Sequence, residues 1–322
     1  MLLRRILRTF MVINVALAAA VQGGAALAAP AREKQPPSSE GQLLYYNHTY
    51  GVLDRETADA IEHSAYLRKF AAFQVRTSSG SGGETWTGRY LTGRETYLEL
   101  FGVGDAPGPD GTLGCAGTAL STERAGQQAA VIERLRAEGV TDPVKAHQTR
   151  DFGDGVPVPW FDSVFVTLQY DAYGTWAMEY RPEYFADPRS NTRPAAFPGD
   201  VSRERYLPDL YRDRLMRDIV AVRLAVTARD LASTVPLLRA GGFAVRSVAD
   251  GGIVAKGGGT TLRYDVVARE DAALRQVEMS LNRPVFHQHE ERLGRSTLTV
   301  GPGARAVWTF DGSSYDSAPA RS

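Results

Sequence analysis

One order of secondary-structure signals occurs twice in the first half of the chain, and it constrains the fold more than any other feature. A β-rich run at 43–53 predicts a strand, and Ala58 and Ile61 then recur at helical spacing behind Asp54, a favourable N-cap residue. Three further strand patterns follow, at 73–76, 86–91 and 96–101. The first unit is therefore predicted to be β-α-β-β-β.

The same order returns in the next segment of the chain. A short strand at 113–120 precedes a predicted helix at 123–138, which Ser121 or Thr122 can cap. Three more strands are predicted, at 144–148, 160–168 and 175–180. The repeat is about 70 residues long, which is typical of duplicated supersecondary units rather than of a solenoid.

The second half of the chain predicts a third unit behind a connector. Residues 188–217 are rich in Arg, Asp, Pro and Tyr and indicate a connector with one charged helix at 208–217. A strand at 220–227 and a helix capped by Asp230 then open the unit at 218–311. The unit ends in a hairpin around 301–303, and residues 312–322 form a polar tail.

The N-terminus has the pattern of an export signal. Arg4, Arg5 and Arg8 precede an apolar run from Phe10 to Val21, which is too short to span a bilayer. Small residues near position 28 suit cleavage, so residues 1–28 are predicted to be a signal peptide and 29–41 a linker. We therefore expect a secreted or periplasmic protein with no stable membrane span after cleavage.

Charge and cysteine content exclude several classes of function. The 37 basic and 37 acidic residues balance, so the chain offers no global electrostatic attraction for nucleic acid, which normally requires a clustered basic footprint. Cys115 is the only cysteine, which excludes an intrachain disulfide and a cysteine-rich metal centre. A metal site in this chain would have to use histidine and carboxylate ligands.

The tandem β-α-β-β-β order resembles the vicinal oxygen chelate superfamily, which includes glyoxalase I, extradiol dioxygenases and bleomycin resistance proteins. The endings Tyr97-Leu98-Glu99-Leu100 and Ala177-Met178-Glu179-Tyr180 are similar to that family's last-strand pattern, and His48 lies on the first strand. The resemblance implies an α+β fold in which paired βαβββ modules at 42–187 (42–103 and 113–187) form cupped sheets. A third, related module would follow at the C-terminus.

The resemblance also implies a metal site and a catalytic residue. His48, Glu99 and Glu179 would hold a divalent Fe, Mn, Zn or Ni ion that chelates two adjacent oxygens of a substrate, with Glu179 as the catalytic carboxylate. The family's fourth ligand is replaced here, because the second module offers Cys115 and its neighbours at that place. Cys115 itself or His147 could take its role.

A purely structural interpretation of the same residues stays open. His48 would then be a hydrogen-bonded histidine inside the cup, and the two glutamates would pair with Arg89 or Arg181. A second histidine and glutamate cluster at 287–291 is predicted to be a solvated loop.

Two functions therefore compete for this chain. One is an exported metal-dependent lyase, isomerase or dioxygenase that acts on a small oxygenated molecule. The other is a metal-free protein that binds or sequesters a small molecule, as the resistance members of the superfamily do.

Overall fold

The computed structural model describes residues 41–79, 85–249 and 251–311. The predicted signal peptide at 1–28, the polar tail at 312–322 and all but the last residue of the linker at 29–41 lie outside them. The described chain forms two eight-stranded mixed sheets and six α-helices, which confirms the α+β prediction. In this part of the chain, no helix is long and apolar enough to cross a membrane.

The first sheet contains every strand from the two repeated units. Its strands are β1 (Tyr45–Leu53), β2 (Ala72–Ser79), β3 (Thr85–Thr92), β4 (Tyr97–Gly102), β5 (Ala116–Ser121), β6 (Val144–Arg150), β7 (Val158–Phe165) and β8 (Tyr173–Tyr180). Their order across the sheet is β2-β3-β4-β1-β5-β8-β7-β6. β1 pairs parallel with β4, β5 pairs parallel with β8, and the antiparallel pair of β1 and β5 joins the two halves.

The second sheet repeats this order eight strands later. Its strands are β9 (Met216–Val226), β10 (Ala244–Ser247), β11 (Ile253–Gly257), β12 (Thr260–Val266), β13 (Ala273–Val285), β14 (His289–Leu293), β15 (Ser296–Val300) and β16 (Gly303–Phe310). Their order is β10-β11-β12-β9-β13-β16-β15-β14. Residues 218–311 thus supply more strands than the single module predicted there, and the predicted solvated loop at 287–291 contains the start of β14.

Four of the six helices follow the first strand of a half-sheet, and they do so in three of the four half-sheets. α1 (Arg55–His63) and α2 (Ala65–Phe70) follow β1, α3 (Gln127–Ala137) follows β5, and α6 (Ala228–Ala240) follows β9. Asp54 caps α1 as predicted, since its side chain accepts a hydrogen bond from the Thr57 backbone N–H. In the fourth half-sheet β13 leads to β14 through residues 286–288 alone.

Two predicted helix boundaries are wrong because the expected capping side chains have other partners. Thr227, not Asp230, caps α6. The buried Asp230 carboxylate accepts hydrogen bonds from the backbone N–H groups of 171–173 and so joins α6 to the start of β8.

α3 begins at Gln127 rather than at 123. The charged helix predicted at 208–217 is a 3₁₀ turn at Asp209–Asp213, followed by β9.

One apolar core joins the two sheets and their helices. It takes Leu98 and Leu100 from the first sheet and Val222 and Leu224 from the second, all almost fully buried. The sheets approach closely at Gly51, where an added Cβ would lie 3.1 Å from the Leu274 side chain. Each sheet therefore has one face in this common core and one face directed away from it.

A segment between the sheets covers the other face of the first sheet. This covering segment, residues 181–207, contains α4 (Pro182–Ala186) and α5 (Arg203–Tyr206). Its apolar side chains join the aromatic cluster on that face: Tyr184, Phe185, Val201, Tyr206 and Leu207. The buried Arg203 fixes the segment, because it pairs with Glu95 and Glu123 and donates to the Tyr46 carbonyl oxygen.

Candidate functional site

Alternation along the strands gives the first sheet an aromatic face. Because successive side chains point to opposite sides of a strand, Leu98 and Leu100 enter the common core while Tyr97 and Glu99 point away from it. This aromatic face consists of His48, Tyr50, Trp86, Tyr90, Tyr97, Glu99, Trp160, Trp176 and Tyr180. The covering segment shields it from solvent.

His48 is a buried, neutral histidine on this face. Its ring stacks on Tyr97 at a centroid distance of 4.3 Å and meets the edge of Trp176 at 5.6 Å. Its Nδ1 lies 2.8 Å from the Asn47 Oδ1. The Asn47 side chain is held in place because its Nδ2 donates hydrogen bonds to the Ser121 and Tyr180 hydroxyls. Burial lowers the pKa of His48 to about 3, so the ring is uncharged at neutral pH.

Glu99 is a fully buried carboxyl group without a well-formed hydrogen bond. Its exposed fraction is 0%, and neither carboxylate oxygen has a partner in good hydrogen-bond geometry, although the Tyr90 hydroxyl is a close polar neighbour. Burial raises the pKa of Glu99 well above its ordinary value, against smaller lowering effects of the Tyr90 hydroxyl and the Arg76 guanidinium. Burial therefore favours the protonated form of Glu99, which can both donate and accept a hydrogen bond.

Other hydrogen-bonding atoms on the aromatic face are also buried without a well-formed hydrogen bond. The Tyr90 hydroxyl and the indole nitrogens of Trp86, Trp160 and Trp176 are buried without partners. Gly88 allows two of these groups to approach the strand closely, since a Cβ there would lie only 2.7 Å from the Tyr90 hydroxyl and 2.9 Å from Glu99 Oε1. Buried polar groups normally have partners, so their concentration on one face makes it the candidate site.

Glu179 lies on the opposite face of the sheet from Glu99. Met178 and Tyr180 on either side of it belong to the aromatic cluster, so Glu179 points toward the helices. Its carboxylate accepts hydrogen bonds from the backbone N–H groups of Gly126 and Gln128 and from the Thr122 hydroxyl. Glu179 thus anchors the start of α3, where a negative charge is favourable.

The three predicted metal ligands are therefore not brought together. His48 and Glu99 share the aromatic face, whereas the Glu179 carboxylate is engaged on the other side of the sheet. Among the described residues, no three histidine, cysteine or acidic side chains are grouped so that they could hold a metal ion. The residues present do not fit the three-ligand site that the resemblance implies, and no catalytic step is assigned to Glu179.

The structural interpretation holds for His48 but not for the two glutamates. His48 is hydrogen-bonded inside the sheet face, as the structural interpretation proposes. The glutamates, however, do not pair with the suggested arginines, because Arg89 pairs with Glu62 and Asp105, and Arg181 pairs with Asp162 and Glu183.

The candidates for a fourth ligand also lie away from the aromatic face or have other partners. His147 is half exposed and bonds to Asp162 at 2.7 Å. Cys115 is buried, with its sulfur 3.4 Å from the Pro109 carbonyl oxygen and 3.4 Å from an Arg269 nitrogen. In β14, His289 stacks on Tyr66 at 4.4 Å.

The covering segment is a part of the candidate site that the sequence patterns did not indicate. Its aromatic residues stack directly on the sheet, with the Tyr180 and Tyr206 rings 4.2 Å apart. The available signal was the set of tyrosines and Phe185 within a stretch otherwise rich in charge. That composition alone does not indicate which sheet face the segment covers.

The fold defines an α+β protein of two sheets with identical strand order, one face of which is buried, aromatic and rich in unpaired polar atoms. The chain belongs to the family of unknown function DUF5829, whose model matches residues 46–310. No curated protein matches the sequence.

Two solved structures align with this chain to different extents. A hypothetical protein from Staphylococcus aureus aligns with a TM-score of 0.52 and 11% identity, over 81% of this chain and 100% of that chain. A xylose isomerase-like TIM barrel/4-hydroxyphenylpyruvate dioxygenase fusion protein aligns over 71% of this chain and 33% of that chain, with 14% identity and a TM-score of 0.36. The first likeness concerns the fold alone, and the second is too weak to carry an argument.

Proposed function

We propose that this protein binds a small, uncharged, oxygen-bearing molecule on the aromatic face, without a metal ion. The observation that carries the proposal is the group of buried polar atoms without partners around Glu99 and Tyr90. Leaving such a group unpaired costs about 1–3 kcal/mol, so a bound molecule that supplied partners would recover this free energy.

The chemistry of the face favours one class of ligand. Indole N–H groups only donate, and a protonated Glu99 adds a further donor, so the ligand should carry acceptor oxygens such as carbonyl or hydroxyl groups. The surrounding rings favour a flat, apolar body. Because His48 and Glu99 are both uncharged, an uncharged ligand avoids burying an unpaired charge.

Entry of the ligand requires the covering segment to move. The unpaired atoms have no exposed surface, and Tyr206 and Leu207 are packed in the cluster above them. In this proposal the ligand displaces part of residues 181–207 and takes over some of its contacts with the sheet.

The strand order supports an extension of the family resemblance. We infer that each sheet is a pair of glyoxalase-like modules, because two four-stranded halves meet at a central antiparallel strand pair in both. The last half would then be a module that lacks its helix. Export through a signal peptide at 1–28 is part of the proposal, and N-terminal sequencing of the protein from culture fractions tests it.

Calorimetric titration with coumarin and 2-naphthol tests ligand binding. We expect saturable binding to the parent protein and weaker binding of naphthalene, which has no oxygen. Glu99→Leu should weaken coumarin binding by about tenfold or more, the effect of one lost hydrogen bond of about 1.4 kcal/mol. Glu179→Gln removes a carboxylate from the other face and should leave the affinity within about twofold.

Metal analysis separates this proposal from the metal-dependent lyase, isomerase or dioxygenase. The bound first-row metals of the parent and of Glu99→Ala are measured by mass spectrometry after purification without a metal-binding tag. Near-stoichiometric metal in the parent and its loss in the variant would favour the enzyme and contradict metal-free binding. Failure of both probes to bind the parent would also contradict our proposal.

A further inference from the structure

The second sheet has an open pocket on the face that points away from the common core. The pocket has a volume of about 340 Å³, which lies at the lower end of the range for small-molecule sites. It is lined by Arg223, Ala225, Asp265, Val267, Arg275, Gln276, Thr309 and Phe310. These residues come from the central strands and their ends, so regular hydrogen-bonded backbone supports most of the pocket.

A β-bulge places two neighbouring polar side chains in this pocket. Leu274 pairs with Leu224 and Gln276 pairs with Arg223, so Arg275 is an extra residue between them. In a regular strand, Arg275 and Gln276 would point to opposite faces, but the bulge directs both toward the pocket. The local backbone is thus arranged to bring an additional arginine to this place.

The charges around the pocket leave an excess of positive charge. Burial alone would raise the pKa of Asp265, but hydrogen bonds from Arg223 and Arg263 lower it below its ordinary value. Both arginines use Nε for this contact, at 2.5 and 2.8 Å. Within the described residues, the terminal nitrogens of Arg223 have no protein partner and Arg275 makes no ion pair, donating instead to the Asp271 carbonyl oxygen.

This arrangement matches a carboxylate. A guanidinium group presents N–H donors in a planar fork that fits the two oxygens of a carboxylate, and the carboxamide of Gln276 can supply a further N–H. Ala225 and Val267 add apolar surface to the pocket, and Phe310 contributes at the boundary with the common core. A ligand with an anionic end and a short apolar body would use both parts.

We propose that the pocket binds a small organic carboxylate, held by Arg223 and Arg275 with its apolar part against Ala225 and Val267. Asp265 positions the Arg223 guanidinium and does not contact the ligand. This site is independent of the aromatic face, because the two sites lie on different sheets and share no residue. Failure of one proposal therefore leaves the other unaffected.

Titration with sodium benzoate tests the proposal, with benzamide as a neutral analogue of the same shape. We expect benzoate to bind the full chain and benzamide to bind at least about tenfold more weakly, because a charged acceptor forms the stronger hydrogen bonds. Arg275→Gln and Arg223→Gln should each weaken benzoate binding by about tenfold. Arg275→Lys, which keeps the charge but not the fork, should fall between parent and Arg275→Gln.

Matched controls distinguish the pocket from general electrostatics and from loss of folding. Arg229→Gln makes the same change in net charge at an exposed arginine that pairs with Asp171, outside the pocket, and should leave benzoate affinity unchanged. Circular dichroism of each variant verifies folding, and coumarin affinity should be equal in Arg275→Gln and the parent.

Four results would overturn the proposal. The first is that benzoate does not bind at 10 mM, a concentration about tenfold above a millimolar Kd. The second and third are that benzamide binds as tightly as benzoate and that a folded Arg275→Gln keeps the parent's benzoate affinity. The fourth is that inorganic phosphate binds more tightly than benzoate. The last result would assign the pocket to phosphate groups instead.

Discussion

The two sheets have the same strand order, but the side chains on their outer faces differ in chemistry. In the first sheet, Trp86, Tyr90 and Tyr97 form a buried aromatic face under the covering segment. In the second sheet, Arg223, Arg263 and Gln276 lie on the corresponding outer side and leave an open, charged pocket. The backbone plan is therefore independent of what the outer face binds, and the alternate side chains of the strands decide the chemistry.

The covering segment explains much of this difference. Residues 181–207 follow directly after β8 and return over the sheet that they leave, so their apolar side chains are buried against Trp160 and Tyr180. The second sheet has no such cover within the described residues. A face that is covered can hold uncharged polar groups away from water, whereas a face that stays open can keep its arginines hydrated.

Breaking the anchor of the covering segment should produce the largest effect. Arg203→Met leaves Glu95 and Glu123 without their buried partner, and we expect a loss of about 3–5 kcal/mol in the free energy of unfolding. Urea denaturation measures it. Arg212→Met, which removes an exposed arginine paired with Asp209, is the control and should change stability by less than about 1 kcal/mol. Equal effects of the two substitutions would show that Arg203 does not anchor the segment.

The acid stability of the protein should depend on His48. Its pKa is lowered to about 3 in the folded state from 6.5, so the unfolded chain binds more protons at acidic pH. Stability contributed by this group is present above pH 6.5 and is lost as the pH falls toward 3. We expect His48→Gln to reduce the loss of unfolding free energy between pH 7 and pH 4 by about 3 kcal/mol. An unchanged pH dependence would mean that the ring is not buried as a neutral group.

Glu99 acts in the opposite direction, because its pKa is raised on folding. Its contribution to stability decreases as the pH rises above the ordinary value of 4.5. The acid profile of the parent combines both groups, so the comparison with His48→Gln isolates the histidine.

The smallest effects should separate the two outer faces most clearly. Glu99→Leu replaces an unpaired buried carboxyl with an apolar side chain of similar size, and we expect it to stabilise the protein by about 1–2 kcal/mol. Arg223→Leu on the open face should change stability by less than about 1 kcal/mol, because its pair with Asp265 is partly exposed. Thermal and urea unfolding compare them. Destabilisation by Glu99→Leu would indicate a structural role for the carboxyl and remove the main support for ligand binding there.

Local sequence patterns predicted where strands and helices form better than they predicted which groups the side chains bind. The strand and helix signals around Asp54 and the last-strand pattern around Glu99 correspond to β1, α1 and β4. Capping was less predictable at Asp230, because a carboxylate near a helix start can bind the helix or a distant loop, and here it binds the backbone before β8. Only the packed structure decides between two such acceptable partners.

The similar sequences around Glu99 and Glu179 led to the same prediction for residues that lie on opposite faces. A strand turns its side chains over with each step, so a shift of one residue between two equivalent strands exchanges the faces. A short motif does not contain that register. Pairing with the neighbouring strands sets it, and it sends Glu99 to the aromatic face and Glu179 to the start of α3.

The sequence by itself determined the α+β class, the positions of many strands and helices, and the set of aromatic and acidic residues from which a site could be built, because these depend on local periodicity and composition. Tertiary structure alone decided that residues 218–311 form a second full sheet and that residues 181–207 cover the first. It also decided that Arg223 and Arg275 meet in one pocket. These features depend on contacts between distant segments and on a single bulge, and no local pattern in the sequence encodes them.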